Sequence, residues 1–571
     1  MRGIFRELWR YRWRLLAGVL ALFVVDALQL IAPLIVRSAV DDLVAGMGES
    51  LVRYALYLTG IAVVVFGFRF VWRILLFGAG RLIERDMRNR LYAHLLTLSP
   101  AYYVEHSTGD LMAHATNDLE AVRRSCSMGV LMASDAVIMI SFSLAAMVGI
   151  SPLLTLYAFI PLPFITVAVM GFGKLIHRRF ERAQAAFSAL TERVREALSG
   201  IRLLRAFARE GGIEGAFAAT NRENVEANLS LTRAWGVFEP MVGLLAGLGT
   251  AIIVWFGGRG VLGGTLSLGG LVAFTSYLGM MVWPMMAIGW IVNTLQQGAA
   301  SMKRLGRIFA EVPDIKSPAR PAPVPPSRRI EFRDLTFAYP GTDRPALRDV
   351  NLVVEEGMTL GVVGLTGSGK STLVRLLPRL YDPPPGTVFL GGVDIRQLDL
   401  GELRDQIAMV PQDVFLFSAT LRENIAYGRP EASDEGVREA ARLAGLAEEI
   451  AAFPNGLETV VGERGVTLSG GQRQRVGIAR ALLLDAPILV LDDVLSSVDA
   501  QVEEAILGHL RDVLRRRTAI VVAHRISAVR ESDLIIVLDG GRIVERGDHS
   551  QLVRRGGLYA RLNELQQALV R

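Results

Sequence analysis

The chain has 571 residues, 51% of them hydrophobic, and its mean hydropathy of +0.36 excludes an ordinary soluble protein. The net charge of +6 and the isoelectric point near 9.5 would suit a nucleic-acid-binding protein, but arginines at the ends of apolar runs explain the charge without nucleic acid. The single cysteine, Cys126, excludes a disulfide within the chain.

Apolar residues are concentrated in the first half of the chain, in six runs that are each long enough to cross a bilayer as a helix. These runs lie near residues 15–36, 54–77, 130–149, 152–172, 237–257 and 270–292. The connections 78–129 and 173–236 are long and have helical periodicity, so we expect their helices to extend well beyond the membrane. The sequence therefore predicts a polytopic α-helical membrane domain with six transmembrane helices and long cytoplasmic extensions.

Positive residues are distributed unevenly around these runs. One side of the predicted membrane carries many of them: Arg2, Arg6, Arg10, Arg12, Arg14, Arg81, Arg85, Arg88, Arg90, Arg123, Arg124, Lys174, Arg178, Arg179 and Arg182. The other side carries few: Arg37, Arg53 and Arg259. The positive-inside rule makes the arginine-rich side cytoplasmic. We therefore expect a multi-pass protein of the inner (cytoplasmic) membrane with both termini in the cytoplasm.

Several ionisable residues lie inside or beside the predicted spans, where an unpaired charge is costly. They are Asp26, Arg69, Arg73, Asp135 and Glu239. Arg69 and Arg73 are four residues apart and therefore share one face of the second helix. Two interpretations stay open for the set: a polar cavity for charged or amphipathic cargo, or ion pairs between helices and residues near the inner vestibule.

The second half of the chain has a different composition. Segment 311–328 contains six prolines, which predicts an extended linker between a transmembrane domain at 1–310 and a second domain at 329–571. From about residue 329 onward, strands alternate with helices, as in an α/β nucleotide-binding domain.

A glycine-rich loop opens a helix in this second domain. The stretch Gly364–Ser371, GLTGSGKS, matches the pattern G-x-x-x-x-G-K-[ST], in which backbone N–H groups surround the phosphates of a nucleotide. Lys370 adds a positive charge, and the hydroxyl of Ser371 is a ligand for Mg²⁺. We predict ATP contacts from Gly364, Thr366, Gly367, Ser368, Gly369, Lys370, Ser371 and Thr372.

A second motif, LSGGQ at Leu468–Gln472, specifies the kind of nucleotide-binding domain. Together with the phosphate loop it resembles the signature of ATP-binding-cassette (ABC) ATPases, and the order of membrane domain before ATPase resembles that of ABC exporters. The resemblance covers the whole chain and implies a type I ABC exporter fold with an α/β P-loop ABC ATPase domain. It also implies that the signature caps the γ-phosphate of ATP held by a second subunit, through Ser469, Gly470, Gly471 and Gln472.

The resemblance carries roles to further single residues. Tyr339 is expected to stack on the adenine, and Gln412 to contact Mg²⁺ and sense the γ-phosphate. Asp492 ends an apolar strand and is expected to bind Mg²⁺ together with Gln412 and the serine of the phosphate loop. His524 matches the switch histidine that holds the γ-phosphate, and Asp499 matches the loop that touches the facing domain.

Three segments resemble the parts of ABC exporters that join the two domains. Val461–Gly465 resembles the exporter-specific loop that meets the membrane domain. Gly109–Leu111 and Ala206–Glu210 resemble the regions of the two coupling helices. We therefore expect these segments to transmit ATP binding to the membrane helices.

One residue departs from the family pattern. Directly after Asp492, ABC ATPases usually have a glutamate that acts as the general base, and here the residue is Asp493. Aspartate is one methylene shorter, which withdraws the carboxylate by roughly 1.5 Å, and loss of a general base typically costs about 10²–10⁴ in rate. In heterodimeric exporters one subunit carries this aspartate beside an intact LSGGQ, and this chain resembles that degenerate-site subunit. The alternative is a conservative exchange that still supports slow hydrolysis.

These observations predict ATP-driven export of hydrophobic or amphipathic compounds, such as drugs, lipids or peptides, by one half of a heterodimeric ABC transporter. The expected cofactors are ATP and Mg²⁺, and the expected partners are a second half-transporter subunit, the lipid bilayer and the cargo, with no nucleic acid. One alternative is a homodimeric lipid flippase or multidrug exporter, in which Asp493 would serve as the base. An alternative of another class is an ATP-gated channel or a regulatory subunit.

Overall fold

The computed structural model describes residues 2–160, 162–462, 468–495 and 500–570. The chain divides into two compact units, Met1–His94 with Gly109–Ala310 and Leu95–Thr108 with Glu311–Arg571. Leu95–Thr108 thus groups with the second unit, although it lies within the range that the sequence assigned to the transmembrane domain. One tie inside that unit is the hydrogen bond that Ser99 Oγ donates to Asp314 Oδ2 at 3.3 Å.

The first half of the chain is helical. Its helices, in chain order, are α1 (Arg2–Arg10), α2 (Arg12–Val44), α3 (Leu51–Leu95), α4 (Pro100–Glu105), α5 (Thr108–Ala113), α6 (Leu119–Arg124), α7 (Val130–Ile150), α8 (Pro152–Ala158), α9 (Leu162–Ser199), α10 (Ile201–Ala206), α11 (Glu210–Leu262) and α12 (Leu268–Ala310). Two π-helical turns, His114–Asp118 and Ser125–Gly129, join α5, α6 and α7 into one continuous helix, Thr108–Ile150.

Five helical segments among the described residues are long and apolar enough to cross a membrane. They are α2, α3, Thr108–Ile150, α11 and α12, and they contain five of the six predicted spans. The predicted span 152–172 coincides with a break, because α8 ends at Ala158 and α9 begins at Leu162, and Pro161 lies outside the described residues. Proline disfavours helical geometry at the preceding residue, which accounts for the turn at Ile160. This span stays a prediction.

The helices α9 and α11 pack against each other and are unusually long. α9 has 38 residues and α11 has 53, which at 1.5 Å per residue correspond to about 57 Å and about 80 Å. The hydrocarbon core of a bilayer is only about 30 Å thick. Both helices therefore extend well beyond their apolar runs.

α12 is the central helix of the first unit and packs against α2, α6 and α7. Its residues Phe274 and Tyr277 are fully buried in a cluster that includes Met147 of α7. The Tyr277 hydroxyl donates a hydrogen bond to the carbonyl of Leu30 on α2 at 2.6 Å, which satisfies the one polar atom of this buried side chain. Packing and this hydrogen bond together fix α12 against α2.

Both π-helical turns lie against α12. Asp118, in the first turn, is buried and accepts a hydrogen bond from Nε of Arg304 at 3.0 Å. Ser125 lies in the second turn, and a Cβ atom added to Gly298 of α12 would lie 2.4 Å from the Ser125 Cβ. Glycine at 298 is therefore needed for the close approach of the two helices.

The second unit contains two β-sheets. Its strands are β1 (Ile330–Phe337), β2 (Leu347–Val354), β3 (Thr359–Gly364), β4 (Val388–Leu390), β5 (Val393–Asp394), β6 (Ile407–Val410), β7 (Ile488–Asp492), β8 (Thr518–Val522), β9 (Leu534–Asp539) and β10 (Arg542–Gly547). Four strands form an antiparallel sheet in the order β2-β1-β4-β5. Six form a sheet in the order β10-β9-β3-β8-β7-β6, which is parallel except for β10 at its edge.

Helices surround these sheets. They are α13 (Lys370–Leu376), α14 (Leu400–Asp405), α15 (Leu421–Ile425), α16 (Asp434–Leu443), α17 (Ala447–Ala452), α18 (Gly470–Leu484), α19 (Ala500–Leu514), α20 (His549–Arg555) and α21 (Leu558–Val570). The strands β3, β7 and β8 are buried throughout, as is typical of parallel strands covered on both faces.

Three neighbouring parallel strands position the candidate site. The phosphate loop follows β3, His524 follows β8, and Asp492 is the last residue of β7. Because the carboxyl ends of parallel strands meet at one edge of a sheet, residues far apart in the sequence come together there.

Candidate ATPase site

The phosphate loop has the tight geometry that its glycines allow. Gly369 has a φ of +100°, in the left-handed region that favours glycine, and a Cβ added there would lie 2.6 Å from the carbonyl oxygen of Ala346. A Cβ added to Gly364 would lie 2.2 Å from the carbonyl oxygen of Leu538. The loop therefore passes so close to neighbouring backbone that no larger residue fits at either position.

Lys370 is buried at the start of α13. Its Nζ donates hydrogen bonds to the carbonyl oxygens of Gly364 and Leu365, each at 2.9 Å, so the ammonium group lies across the loop. Burial lowers the pKa of Lys370 below its ordinary value, while the carboxylates of Asp493 and Asp492 oppose that shift. A positive charge is thus held against the loop that is expected to surround the phosphates.

Ser371 and Asp492 form a pair of oxygen ligands beside the loop. Ser371 Oγ donates a hydrogen bond to Oδ1 of Asp492 at 2.8 Å, whereas Oδ2 of Asp492 has no hydrogen-bond partner within the described part of the chain. Burial raises the pKa of Asp492, and the hydrogen bond from Ser371 opposes this rise. A buried carboxylate oxygen without a donor, next to a hydroxyl, fits the hard oxygen ligands that Mg²⁺ prefers.

Asp493 is where the predicted catalytic residues converge. Its φ is +53°, a left-handed conformation that aspartate tolerates better than most residues. Its Oδ1 accepts a hydrogen bond from the backbone N–H of His524 at 3.3 Å, and its Oδ2 lies 3.5 Å from Nε2 of Gln412 and 3.8 Å from Nε2 of His524. The structure therefore brings Asp493, His524 and Gln412 together, and their catalytic roles stay predictions.

Tyr339 lies just after β1 and is held by two kinds of contact. Its hydroxyl makes a 3.0 Å hydrogen bond with Oγ1 of Thr372, so Thr372 is tied to the aromatic side of the site. Its ring lies edge-to-face against Phe337 at 5.3 Å and against Tyr381 at 4.9 Å. Tyr381 was missed by the sequence reasoning, because a single aromatic residue without a motif gives no signal of its position.

The signature stretch begins α18. Ser469 is the exposed N-cap residue: its Oγ accepts a hydrogen bond from the Gln472 N–H at 3.2 Å, and Oε1 of Gln472 accepts one from the Ser469 N–H at 2.9 Å. This reciprocal capping box fixes the first turn of the helix and exposes its N-terminus, where Gly470 and Gly471 follow. The helix dipole places partial positive charge there, which suits an anion such as phosphate.

The segments expected to join the domains are only partly described. Gly109–Leu111 lies in α5, and Ala206–Glu210 covers the turn between α10 and α11. Asp499 and most of Val461–Gly465 lie outside the described residues. The roles of these segments stay predictions.

The ionisable residues of the predicted spans separate into two groups. Asp26 is buried on α2, and Asp135 on α7 and Arg69 on α3 lie within electrostatic reach of its carboxylate. Arg73 lies over the ring of Trp72 at 5.7 Å, and Glu239 is exposed on α11. Three of the five predicted residues are therefore close enough for their charges to interact.

A cavity of about 390 Å³ in the first unit was not predicted. Its lining includes Phe77, Arg123, Arg124, Trp290, Asn293 and Gln297. Asn293 and Gln297 are one helical turn apart on α12, and this spacing of polar residues at the end of an apolar run was a signal that could have identified the cavity. The cavity combines aromatic rings, amides and guanidinium groups, which suits an amphipathic molecule.

Comparison with known proteins covers both halves of the chain. The family model described as the ABC transporter transmembrane region matches residues 15–285, and the model described as ABC transporter matches residues 347–496. Relatives match over nearly the whole length. A probable multidrug resistance ABC transporter ATP-binding/permease protein, YheI of Bacillus subtilis (strain 168), is 40% identical over 560 residues, covering 98% of this chain and 96% of that protein.

Two further comparisons agree with these. The multidrug resistance-like ATP-binding protein MdlA of Escherichia coli (strain K12) is 40% identical over 567 residues, covering 98% of this chain and 96% of that protein. The solved structure of a bacterial Atm1-family ABC exporter with ATP bound has a TM-score of 0.79 and 29% identity, covering 97% of this chain and 98% of that one.

Proposed function

Because this chain belongs to the ABC transporter family, as an ATP-hydrolysing exporter with fused transmembrane and ATP-binding domains, we propose a specific role for it within that family. It is one half of a heterodimer that exports hydrophobic or amphipathic compounds across the cytoplasmic membrane, with both termini in the cytoplasm. Its relatives with multidrug resistance names support this class of cargo, as does the mixed aromatic and polar lining of the cavity at Trp290 and Gln297.

The observation that carries the heterodimer proposal is the position of Asp493. Its Oδ1 lies 3.3 Å from the backbone nitrogen of His524, and its Oδ2 lies 3.5 Å from the amide nitrogen of Gln412. A glutamate at 493 would reach roughly 1.5 Å further from the same backbone. A general base must come within about 2.6–3.2 Å of the atom whose proton it takes. The shorter side chain of Asp493 therefore makes ATP hydrolysis slow at this chain's own site.

The rest of the ATP-binding machinery supports a binding role for this weak site. Lys370 lies across the phosphate loop, and Ser371 with Asp492 offers oxygen ligands that would hold Mg²⁺, which neutralises phosphate charge when bound. The intact capping box of Ser469 and Gln472 presents the signature helix to the ATP site of a second subunit. On this proposal, hydrolysis occurs mainly at the site that this signature completes.

The test is the Mg²⁺-dependent ATPase activity of the chain purified alone, compared with its Asp493→Glu variant. We expect the variant to be faster by about 10-fold or more, because it restores the reach of the base. The matched control is Asp485→Glu, which makes the same change at another aspartate of positive φ, +58°, which is exposed at the end of α18 and paired with Arg517. This control should leave the rate unchanged.

A self-sufficient homodimer is the second candidate, and the presence of every motif in one chain favours it. On this alternative, Asp493 itself serves as the base, and the unmodified chain turns over ATP robustly with no gain from Asp493→Glu. That result would refute the degenerate-site proposal. A channel or regulatory role is separated from both by ATP-dependent uptake of a fluorescent amphipathic dye into inside-out vesicles, since only a pump concentrates the dye against its gradient.

A further inference from the structure

The C-terminal helix α21 contacts the loop that carries His524. The side-chain amide of Gln566 makes two hydrogen bonds to the backbone of this loop. Its Nε2 donates to the carbonyl oxygen of His524 at 2.7 Å, and its Oε1 accepts from the N–H of Ile526 at 2.8 Å. The Gln566 side chain therefore binds the backbone on both sides of Arg525.

The chemistry of these two bonds requires a carboxamide. The His524 carbonyl needs a donor and the Ile526 N–H needs an acceptor, and the amide of Gln566 supplies both from one rigid plane. A carboxylate would supply only acceptors, and an aliphatic side chain would supply neither. The orientation of the amide is fixed, because turning it over would place donor against donor and acceptor against acceptor.

α21 is a rigid support for Gln566. Tyr559 lies two helical turns earlier on the same face and is fully buried, with its hydroxyl 2.8 Å from Nδ1 of His549. Ala560 beside it is also buried. Because the helix is anchored in the core at this end, the amide at 566 is presented to the loop in a fixed position.

The loop is held from its other side as well. The His524 N–H donates to Oδ1 of Asp493, and the buried carboxylate of Glu503 on α19 accepts hydrogen bonds from Arg525 and from Oγ of Ser527, the latter at 2.7 Å. Gln566 thus supplies the remaining contact to the His524 backbone, on the carbonyl side.

We propose that Gln566 is a positioning residue of the ATPase site, which fixes the backbone of the His524 loop so that the imidazole lies beside Asp493. It acts through the backbone of the His524 loop. The inference concerns ATP hydrolysis by this domain and does not depend on whether the chain pairs with a different subunit or with itself.

The experiment uses the full chain in lipid nanodiscs, in the wild type or the Asp493→Glu background, whichever hydrolyses ATP faster. Choosing the background first separates this test from that of the heterodimer proposal. Gln566→Glu is nearly isosteric: it keeps the acceptor for the Ile526 N–H, removes the donor to the His524 carbonyl and adds a negative charge. Gln566→Leu removes both hydrogen-bonding groups. Gln567→Glu is the matched control, because Gln567 is exposed and its side-chain hydrogen bond, to Asn563, stays within α21.

We expect both Gln566 variants to lower kcat by about 10- to 100-fold, as a misplaced catalytic group does, with KM for ATP changed by less than about twofold. Hydrogen exchange at the Ile526 amide should accelerate in Gln566→Leu, while Gln566→Glu keeps an acceptor for it. Gln567→Glu should match its parent in every measurement.

Three results would overturn the proposal. One is a kcat for Gln566→Glu within about twofold of its parent. Another is a rise of KM for ATP with unchanged kcat, which would make Gln566 a determinant of ATP binding instead. The last is an equal loss in Gln567→Glu, which would show that any charge on α21 disturbs the domain. If Gln566→Leu fails to fold, the isosteric Gln566→Glu variant decides the question alone.

Discussion

Replacing Gly369 with alanine tests the geometry of the phosphate loop directly. The φ of +100° at this residue costs a residue with a Cβ roughly 1–2 kcal/mol. The new Cβ would also lie 2.6 Å from the backbone carbonyl of Ala346, which is too close for the loop to keep its position. Both costs fall on the conformation that is expected to surround the phosphates.

The expected effect is on ATP affinity. If the loop relaxes in the variant and must be rebuilt when ATP binds, about 2 kcal/mol lowers the affinity by roughly 30-fold. The measurement is the Kd for a fluorescent ATP analogue in the presence of Mg²⁺. Gly508→Ala is the matched control, because Gly508 lies within α19 and a Cβ there meets no atom within 4 Å. A Kd for Gly369→Ala within about threefold of the wild type would refute the reasoning.

Two further substitutions probe buried carboxylates. Asp492→Asn should abolish Mg²⁺-dependent hydrolysis yet raise the Tm of the nucleotide-free chain at neutral pH by about 2–4 °C, because it removes a charge whose burial is unfavourable. The pKa of Asp492 is raised in the folded state, so its contribution to stability is present at low pH and is lost as the pH rises through that pKa. The gain in Tm of Asp492→Asn over the wild type should therefore shrink toward pH 4. A gain that is the same at every pH would contradict this reasoning. Arg304→Ala removes a hydrogen-bond donor of the buried Asp118. It should lower the free energy of unfolding by only about 1–2 kcal/mol, because Arg304 is half exposed and water screens part of the interaction. Arg307→Ala, one turn later and exposed, is its control, and equal losses in the two would argue against the pairing.

The ATPase half could be predicted closely because its motifs encode strand ends. GLTGSGKS follows β3 and Asp492 ends β7, so the sequence itself indicated which residues meet at the edge of a parallel sheet. Gln566 had no such signal. It is one polar residue on a surface helix, and its role depends on how α21 docks against the loop after β8, which no local pattern records.

The membrane half was predicted less completely. Hydropathy locates apolar runs but does not describe the rotation of a helix about its axis. The sequence therefore could not separate Asp26, Asp135 and Arg69, whose charges interact, from Arg73, which lies over the Trp72 ring, and from Glu239, which is exposed. It also could not detect the break after Ala158, because the apolar run continues through it.

The two π-helical turns between α5 and α7 make chain length itself a determinant of this fold. Each turn holds one residue more than an α-helical turn would need, and each residue advances an α-helix by about 100°. Deleting one residue from His114–Asp118 would therefore rotate everything that follows the deletion, and Ser125 would be carried away from Gly298. A one-residue deletion in this helix would therefore change the direction of every later side chain and disturb all of their contacts. Most substitutions, in contrast, affect only the contacts of the substituted residue.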